Sequence, residues 1–257
     1  MNKVLRRIYM ILLYLFLYAP IIVLIVFSFN EGKTRGSWDG FTFDWYRALL
    51  EDAEILAALK NTLLIALTSS LVSTIIGTLG ALGIYYLRRQ PRAALLGINQ
   101  IPVMNPDIVA AVGFMILYRV LDIELGFGSL LLSHIGFTVP YVILNVMPKL
   151  KTMPRALPEA AQDLGATPWQ TLYLVVLPYL KTGIISGALM AFTLSLDDFV
   201  ISFFNTGNGV ETVSTQVYSM ARRGINPSIN ALSTLMFVAM IFLLGMINVL
   251  TPEATER

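Results

Sequence analysis

The residues in this chain that could do chemistry are few and widely spaced. Asp107 follows Pro106 inside an apolar stretch. Asp197 and Asp198 are adjacent and come after a membrane-length run of apolar residues, with Ser195 just before them. Glu159 and Asp163 lie four residues apart in a more polar segment that Pro148 and Pro178 bound. There is one histidine, His134, and no cysteine. That excludes a disulfide framework, a thiolate metal site and a thiol nucleophile, and it leaves His-based metal clusters and Ser–His catalysis almost no material. No phosphate-binding G-x-x-x-x-G-K-[ST] loop is present, so the sequence gives no site for ATP hydrolysis. We assign no catalytic residue, no metal ligand and no cofactor to it.

Composition says what solvent surrounds these groups. Of 257 residues, 56% are hydrophobic and 13% charged. Soluble domains carry roughly 25% charged residues, and a globule of this length could not hide so much apolar surface from water. Lipid must be the solvent for much of the chain. The formal net charge of +2 is too small to imply a nucleic-acid partner.

A hydrocarbon core of ~30 Å needs ~20 apolar residues as helix. Six stretches meet or approach this: near Ile8 to Phe29, Thr62 to Leu87, Leu95 to Val120, Phe127 to Met147, Tyr179 to Asp197 and Ile229 to Thr251. Pro102 and Pro106 interrupt the third, and Gly136 and Pro140 lie in the fourth. Backbone groups in lipid must be bonded internally, so helices are expected. The runs are continuous, unlike the short alternating segments of a barrel. The first stretch is longer than a signal-peptide core and lacks a cleavage site after it, so it reads as a retained helix. Gly77, Gly80 and Gly83 predict close helix packing. A lone His134 in a span reads as a bonded structural group rather than a ligand.

Basic residues orient the spans. With the N-terminus cytoplasmic, Lys3, Arg6, Arg7, the Arg88-Arg89-Gln90-Pro91-Arg92 cluster, Lys149, Lys151, Arg155 and Lys181 all fall inside. The expected architecture is all-α: a polytopic bundle of six transmembrane helices, one domain over 1–257, both termini cytoplasmic. Two loops are long. The one near Asn30 to Asn61 is expected outside and carries Trp38, Trp45 and Tyr46. Such aromatics anchor at the headgroup boundary, or line a vestibule through cation–π contacts. The other, about 149–178, is expected inside.

The inner loop carries the most specific signal. Pro158 suits the first turn of a helix, Glu159 and Asp163 suit its N-terminal end, and Ala160 and Ala161 permit close approach of another surface. Gly165 can end that helix, and Pro168-Trp169 opens a second amphipathic stretch. Such an element lies on lipid or docks into a soluble partner.

Glu159-Ala160-Ala161, Gly165 and Val175-Val176-Leu177-Pro178, at this spacing, resemble the EAA loop of ABC importer permeases, with Val175 where the family has Ile. The resemblance extends along nearly the whole chain and points to the permeases of spermidine/putrescine importers. It is carried by Tyr18-Ala19-Pro20-Ile21-Ile22 through Ser28-Phe29-Asn30, Gly40-Phe41-Thr42 with Trp45-Tyr46, Asn105 to Val109, Ser195 to Asp198, Val217 to Met220, and Asn226-Pro227. It implies a coupling helix gripped by a separate ATPase pair, with Glu159, Ala160, Ala161, Asp163 and Gly165 at the contact. ATP and Mg would be bound by that partner. It also implies a second homologous permease, an extracytoplasmic substrate-binding protein, and residence in a bacterial inner membrane.

For the substrate path the candidates are Asp197, Asp198, Asp107, Ser195, Trp45 and Tyr46. An ionisable group inside a span costs at least ~2.5–3.5 kcal/mol and faces a cavity or a partner. Asp107 is thus a pathway carboxylate or a buried partner that holds a broken helix. Neighbouring helix residues point ~100° apart, so Asp197 and Asp198 need not share a role; one can face the pore while the other caps backbone or pairs with Arg222 or Arg223. No Lys or Arg falls mid-span, which favours a cationic substrate over an anion. The rival is a self-sufficient secondary carrier using Asp107 and Asp197, which leaves the 159–178 spacing unexplained.

Overall fold

The computed structural model describes residues 3–32, 37–207, 209–223 and 227–250. Among the described residues the regular structure is helical apart from one isolated bridge, Asn30 to Phe41. The helices are α1 (Lys3–Phe27), α2 (Asp44–Glu51), α3 (Ala53–Tyr86), α4 (Arg89–Met104), α5 (Asp107–Val120), α6 (Phe127–Thr152), α7 (Ala156–Asp163), α8 (Pro168–Thr171), α9 (Leu177–Asp197), α10 (Val200–Asn205), α11 (Val213–Arg223) and α12 (Ser228–Leu250). A five-residue π-helical segment, Leu172–Val176, joins α8 to α9.

Among the described residues, four helical stretches are long and apolar enough to cross a membrane: Val4–Phe27, Ala53–Tyr86, Phe127–Thr152 and Pro168–Asp197. The pair α4 and α5 adds a fifth if it counts as one broken span; the two helices are bent by 103°. The expected sixth span falls on α12, whose apolar stretch is described from Ser228 to Phe242; Thr251, the end of that expectation, lies outside the described residues. The break in the third stretch is placed more narrowly than the sequence suggested. Pro102 sits inside α4, and the chain turns at Asn105–Pro106. A residue before proline is driven out of the helical region, and Asn105 is extended with ψ 147°. Asp107 then opens α5.

The chain divides into two compact units. The first comprises 1–58 and 216–250. In it α12 packs on α1 and on α2, and the connection after α1 folds around Asn30, which is wholly buried. The Asn30 side chain donates to the Ser37 carbonyl (2.9 Å) and accepts from the Asp39 N–H (2.8 Å). Apart from the partly buried residues Ala19, Ile21, Leu24, Ile25 and Phe27, the apolar surface of α1 is exposed, as a helix facing lipid or another chain requires.

The second unit comprises 59–215 among the described residues, and its centre is the pairing of α6 with α9. Val142, Val146 and Leu150 of α6 pack with Leu180 and Ala191 of α9 and with Ala81 of α3. Lipid tails are as apolar as leucine, so helices associate in membranes by close packing and interhelical hydrogen bonds. Glycines provide the closeness here. A Cβ on Gly187 would lie 3.2 Å from Val142 Cγ1, and one on Gly77 would lie 2.6 Å from Val142 Cβ. Of the three glycines expected to pack, Gly77 does so closely and Gly80 normally, while Gly83 meets nothing within 4 Å. The helix turns the last of them away from its neighbour. The Gly183-x-x-x-Gly187 spacing, which the sequence reading passed over, sits on α6 instead.

Candidate functional site

The loop from α7 to α9 is built by local capping. Glu159 lies in the first turn of α7. At its end the Gly165 N–H donates to the Gln162 carbonyl (2.8 Å) and the Ala166 N–H to the Ala161 carbonyl (3.0 Å). Gly165 adopts φ +88°, which glycine reaches without a Cβ penalty, so the helix stops there in a Schellman turn. Thr167 and Gln170 then cap α8 reciprocally: the Gln170 N–H donates to Thr167 Oγ1 (3.3 Å), and the Thr167 N–H to Gln170 Oε1 (2.8 Å). The predicted helix, Gly turn and second helix are therefore all present.

The loop is held from beneath and open above. Val176 and Met153 are buried in the α6/α9 core, and Tyr179 Oη donates to the Thr152 carbonyl (3.1 Å). Glu159, Ala160, Asp163 and Gly165 are exposed and Ala161 is half-buried. Leu164 is 90% exposed and Trp169 69%, with Tyr173 and Leu174 also outward. Trp169 and Tyr173 stack with ring centroids 6.4 Å apart. Small alanines flanked by large exposed apolar groups make a surface suited to another protein.

The second constellation is a polar seam inside the α3–α6–α9–α10 contact. His134 Nδ1 lies 2.7 Å from Ser195 Oγ, and Nε2 lies 3.2 Å from Ser202 Oγ and 3.6 Å from Asp198 Oδ2. Ser69 of α3 donates to Ser195 Oγ (3.0 Å). Ser73 and Thr138 are bonded at 2.7 Å, and Ser70 donates to the Ala188 carbonyl (2.7 Å). Asp198 also accepts the N–H groups of Ile201 (3.1 Å) and Ser202 (2.7 Å), capping α10. Serine, histidine and aspartate thus adjoin, but Ser195 is only 3% exposed. Its hydroxyl is engaged by His134 and Ser69, so the cluster is a bonded, buried contact between helices rather than an open nucleophilic site.

These contacts separate the path candidates. Asp198 and Ser195 are engaged in the seam, and His134 is the bonded structural group expected; Asp198 caps backbone, one of the roles the sequence offered for one of the two aspartates, and its ion pair is with His134. Asp197 and Asp107 are exposed. Neither has a hydrogen bond or an ion pair among the described residues. Trp45 and Tyr46 belong to the first unit and are internally bonded: Trp45 Nε1 donates to the Asn30 carbonyl (2.8 Å), and Tyr46 Oη shares a 2.6 Å hydrogen bond with Ser28. Tyr46 packs with Phe29 and Phe43 as well. The sequence reading missed Ser69, Ser73, Thr138 and Ser202. The signal was the Thr68-Ser69-Ser70 and Ser73-Thr74 cluster in an otherwise apolar span, where each hydroxyl needs a partner.

Two solved structures share the fold. A bacterial ABC transporter that imports the acidic polysaccharide alginate matches with a TM-score of 0.75 at 20% identity, covering 99% of this chain and 97% of that one. An inward-facing form of the MetNI methionine ABC transporter matches at 0.59 and 19%, covering 80% and 100%. The class is thus an ABC importer permease fold. Residues 73–252 match the family described as the binding-protein-dependent transport system inner membrane component, and this chain belongs to it. The spermidine/putrescine transport system permease protein PotC of Escherichia coli K12 is 37% identical over 256 residues, spanning 100% of this chain and 95% of that protein. PotC of Haemophilus influenzae is 37% identical over 249 residues, 97% of each. The putrescine permease PotI of E. coli K12 is 35% identical over 241 residues, 91% and 86%.

Proposed function

We propose that this chain is the polyamine-conducting permease subunit of an ATP-driven importer, and that α7 with its Gly165 turn is the lever through which a separate ATPase dimer moves it. The observation that carries this reading is the outward surface of Ala160, Leu164 and Trp169 on a loop whose inner side is fixed in the α6/α9 core. A push on α7 passes through the π-helical segment into α9 and from there to α6. The same chain is similar along its whole length to permeases named for spermidine and putrescine.

In this reading six helices cross a bacterial inner membrane with both termini and α7 in the cytoplasm. ATP and Mg belong to the ATPase subunits, and this chain hydrolyses nothing. A second, homologous permease completes the path, and a binding protein delivers the substrate from outside. ATP-driven closure of the ATPase pair opens the path outward, and hydrolysis resets it. Asp197, exposed at the end of α9, and Asp107, exposed at the break before α5, are the pathway carboxylates. Opposite charge attracts a di- or tri-ammonium substrate strongly where water is scarce. Asp198 and Ser195 hold the helix ends that aim Asp197, and Trp45 and Tyr46 shape the outer loop.

The test is spermidine uptake by cells carrying the complete importer, with assembly checked by co-purification. Asp197→Asn should lower uptake at least tenfold while the complex assembles normally. Unchanged uptake removes Asp197 from the path. A cysteine placed by Ala160→Cys should cross-link to the ATPase subunit; absence of capture in an assembled importer overturns the lever.

A further inference from the structure

The positive ends of two helices meet in one cavity. α4 starts at Arg89 and has Arg92 close behind, no acidic residue in its first turn and no side-chain cap. Arg155 stands at the N-cap of α7, again with no side-chain cap bond. At α4 the cations face free N–H groups and the positive end of the dipole, an unfavourable arrangement unless an anion lies among them, whereas α7 has one acid, Glu159, in its first turn. Lys151 differs, because it lies in the last turn of α6, where its own helix favours it. All four cations line a cavity of about 800 Å³, and Glu159 is the one carboxylate in its wall. The ion pairs among the described residues are Arg47–Asp44 and His134–Asp198, so these four cations have no carboxylate partner there. Arg92 rests over the Tyr85 ring at 5.0 Å, which fixes its guanidinium without neutralising it.

We propose that this cavity binds the phosphate of an anionic lipid headgroup. Guanidinium groups take phosphate oxygens in bidentate pairs, and the volume lies within the ~300–1,000 Å³ of small-ligand sites. Its place favours a lipid over a dissolved anion: it opens where α3 and α6 end, with Tyr86 and Leu87 exposed at its edge, and exposed tyrosines sit at the headgroup level. The inference rests on the orientation proposed above, in which this end is cytoplasmic and the adjoining leaflet is anionic. Glu159 and Gln162 of α7 belong to the same wall. A bound headgroup therefore sets the position of the helix offered to the ATPase.

The test is native mass spectrometry of the full chain, purified in mild detergent and exchanged with phosphatidylcholine vesicles that contain or lack phosphatidylglycerol. Phosphatidylglycerol should remain bound to the wild type. At about fivefold per basic residue near the surface, R89Q/R155Q should weaken retention on the order of 25-fold. R89K/R155K, which keeps the charge but loses the bidentate fork, should fall between the two, and K181Q outside the cavity should retain the lipid. Retention by R89Q/R155Q equal to wild type overturns the site, as does loss in R89K/R155K and K181Q alike. Displacement of the lipid by millimolar inorganic phosphate assigns the cavity to a free anion instead. Expulsion of the lipid when the ATPase subunit is added makes it a protein contact, and also overturns the proposal. Cross-linking at Ala160→Cys, run in parallel, separates the two readings. Capture without lipid retention defeats the lipid site alone, and retention without capture defeats the lever alone.

Discussion

The seam around His134 and the loop around Leu164 obey opposite rules. Inside the bundle Ser69, Ser73, Thr138, Ser195, Ser202 and Asp198 all have partners, as an apolar surrounding demands of polar groups. On the loop it is apolar groups that face outward: Leu164, Trp169 and Leu174 are exposed although the C-terminal end of α7 and the N-terminal end of α8 are capped. Residues that resemble a catalytic triad are bonded to one another inside the bundle, and the surface proposed above for coupling is made of residues with no reactive chemistry. Satisfied polarity signals architecture here; unsatisfied apolar surface signals a partner.

That contrast breaks first at Leu164. Leu164→Asp should leave the fold within ~0.5 kcal/mol, because the side chain already faces solvent. It should weaken capture of the ATPase subunit on the order of 30-fold, as loss of an interface anchor does; co-purification and uptake measure it. Normal capture would make the loop a lipid-resting element. Next is Gly187→Leu, which forces a side chain against Val142. Overpacking costs ~1–3 kcal/mol, and assembled complex should fall in yield, whereas Gly83→Ala, with open space around it, should not reduce it.

His134→Ala sharpens the other half of the comparison. It removes the shared partner of Ser195, Ser202 and Asp198, and leaving buried groups unpaired costs ~1–3 kcal/mol. Thermal stability should drop while uptake per assembled complex holds. A loss of uptake without a loss of stability would move His134 from architecture to the path. The smallest effect is expected for Ser73→Ala. One interhelical hydrogen bond in a membrane protein averages ~0.6 kcal/mol, so unfolding in detergent should shift slightly and transport not at all.

Much of the loop was legible in advance because its structure is local. Pro158, Gly165 and Pro168 specify helix starts and a stop within a few residues of themselves, and the structure has them in those roles. The break at Pro106 was visible for the same reason, although Pro102 was wrongly given a share in it: proline inside α4 is accommodated, and the restriction on Asn105 makes the turn. The seam was only half legible. His134 could be read as bonded, but not to which groups, since its partners lie on α9 and α10 some 60 residues on. Gly83 and Gly187 show the same limit, because a glycine's spacing says that close packing is possible and only the neighbour decides where it occurs.

The sequence by itself determined the solvent, the helical class and the capped loop before α9, because hydropathy, proline and glycine act within one or two turns of chain. The tertiary structure decided which of two adjacent aspartates is engaged and which is exposed, which glycines carry the α6/α9 contact, and that four cations from α4, α6 and α7 share one cavity. Those outcomes depend on which helix faces turn toward one another, and facing is set by packing between segments far apart along the chain.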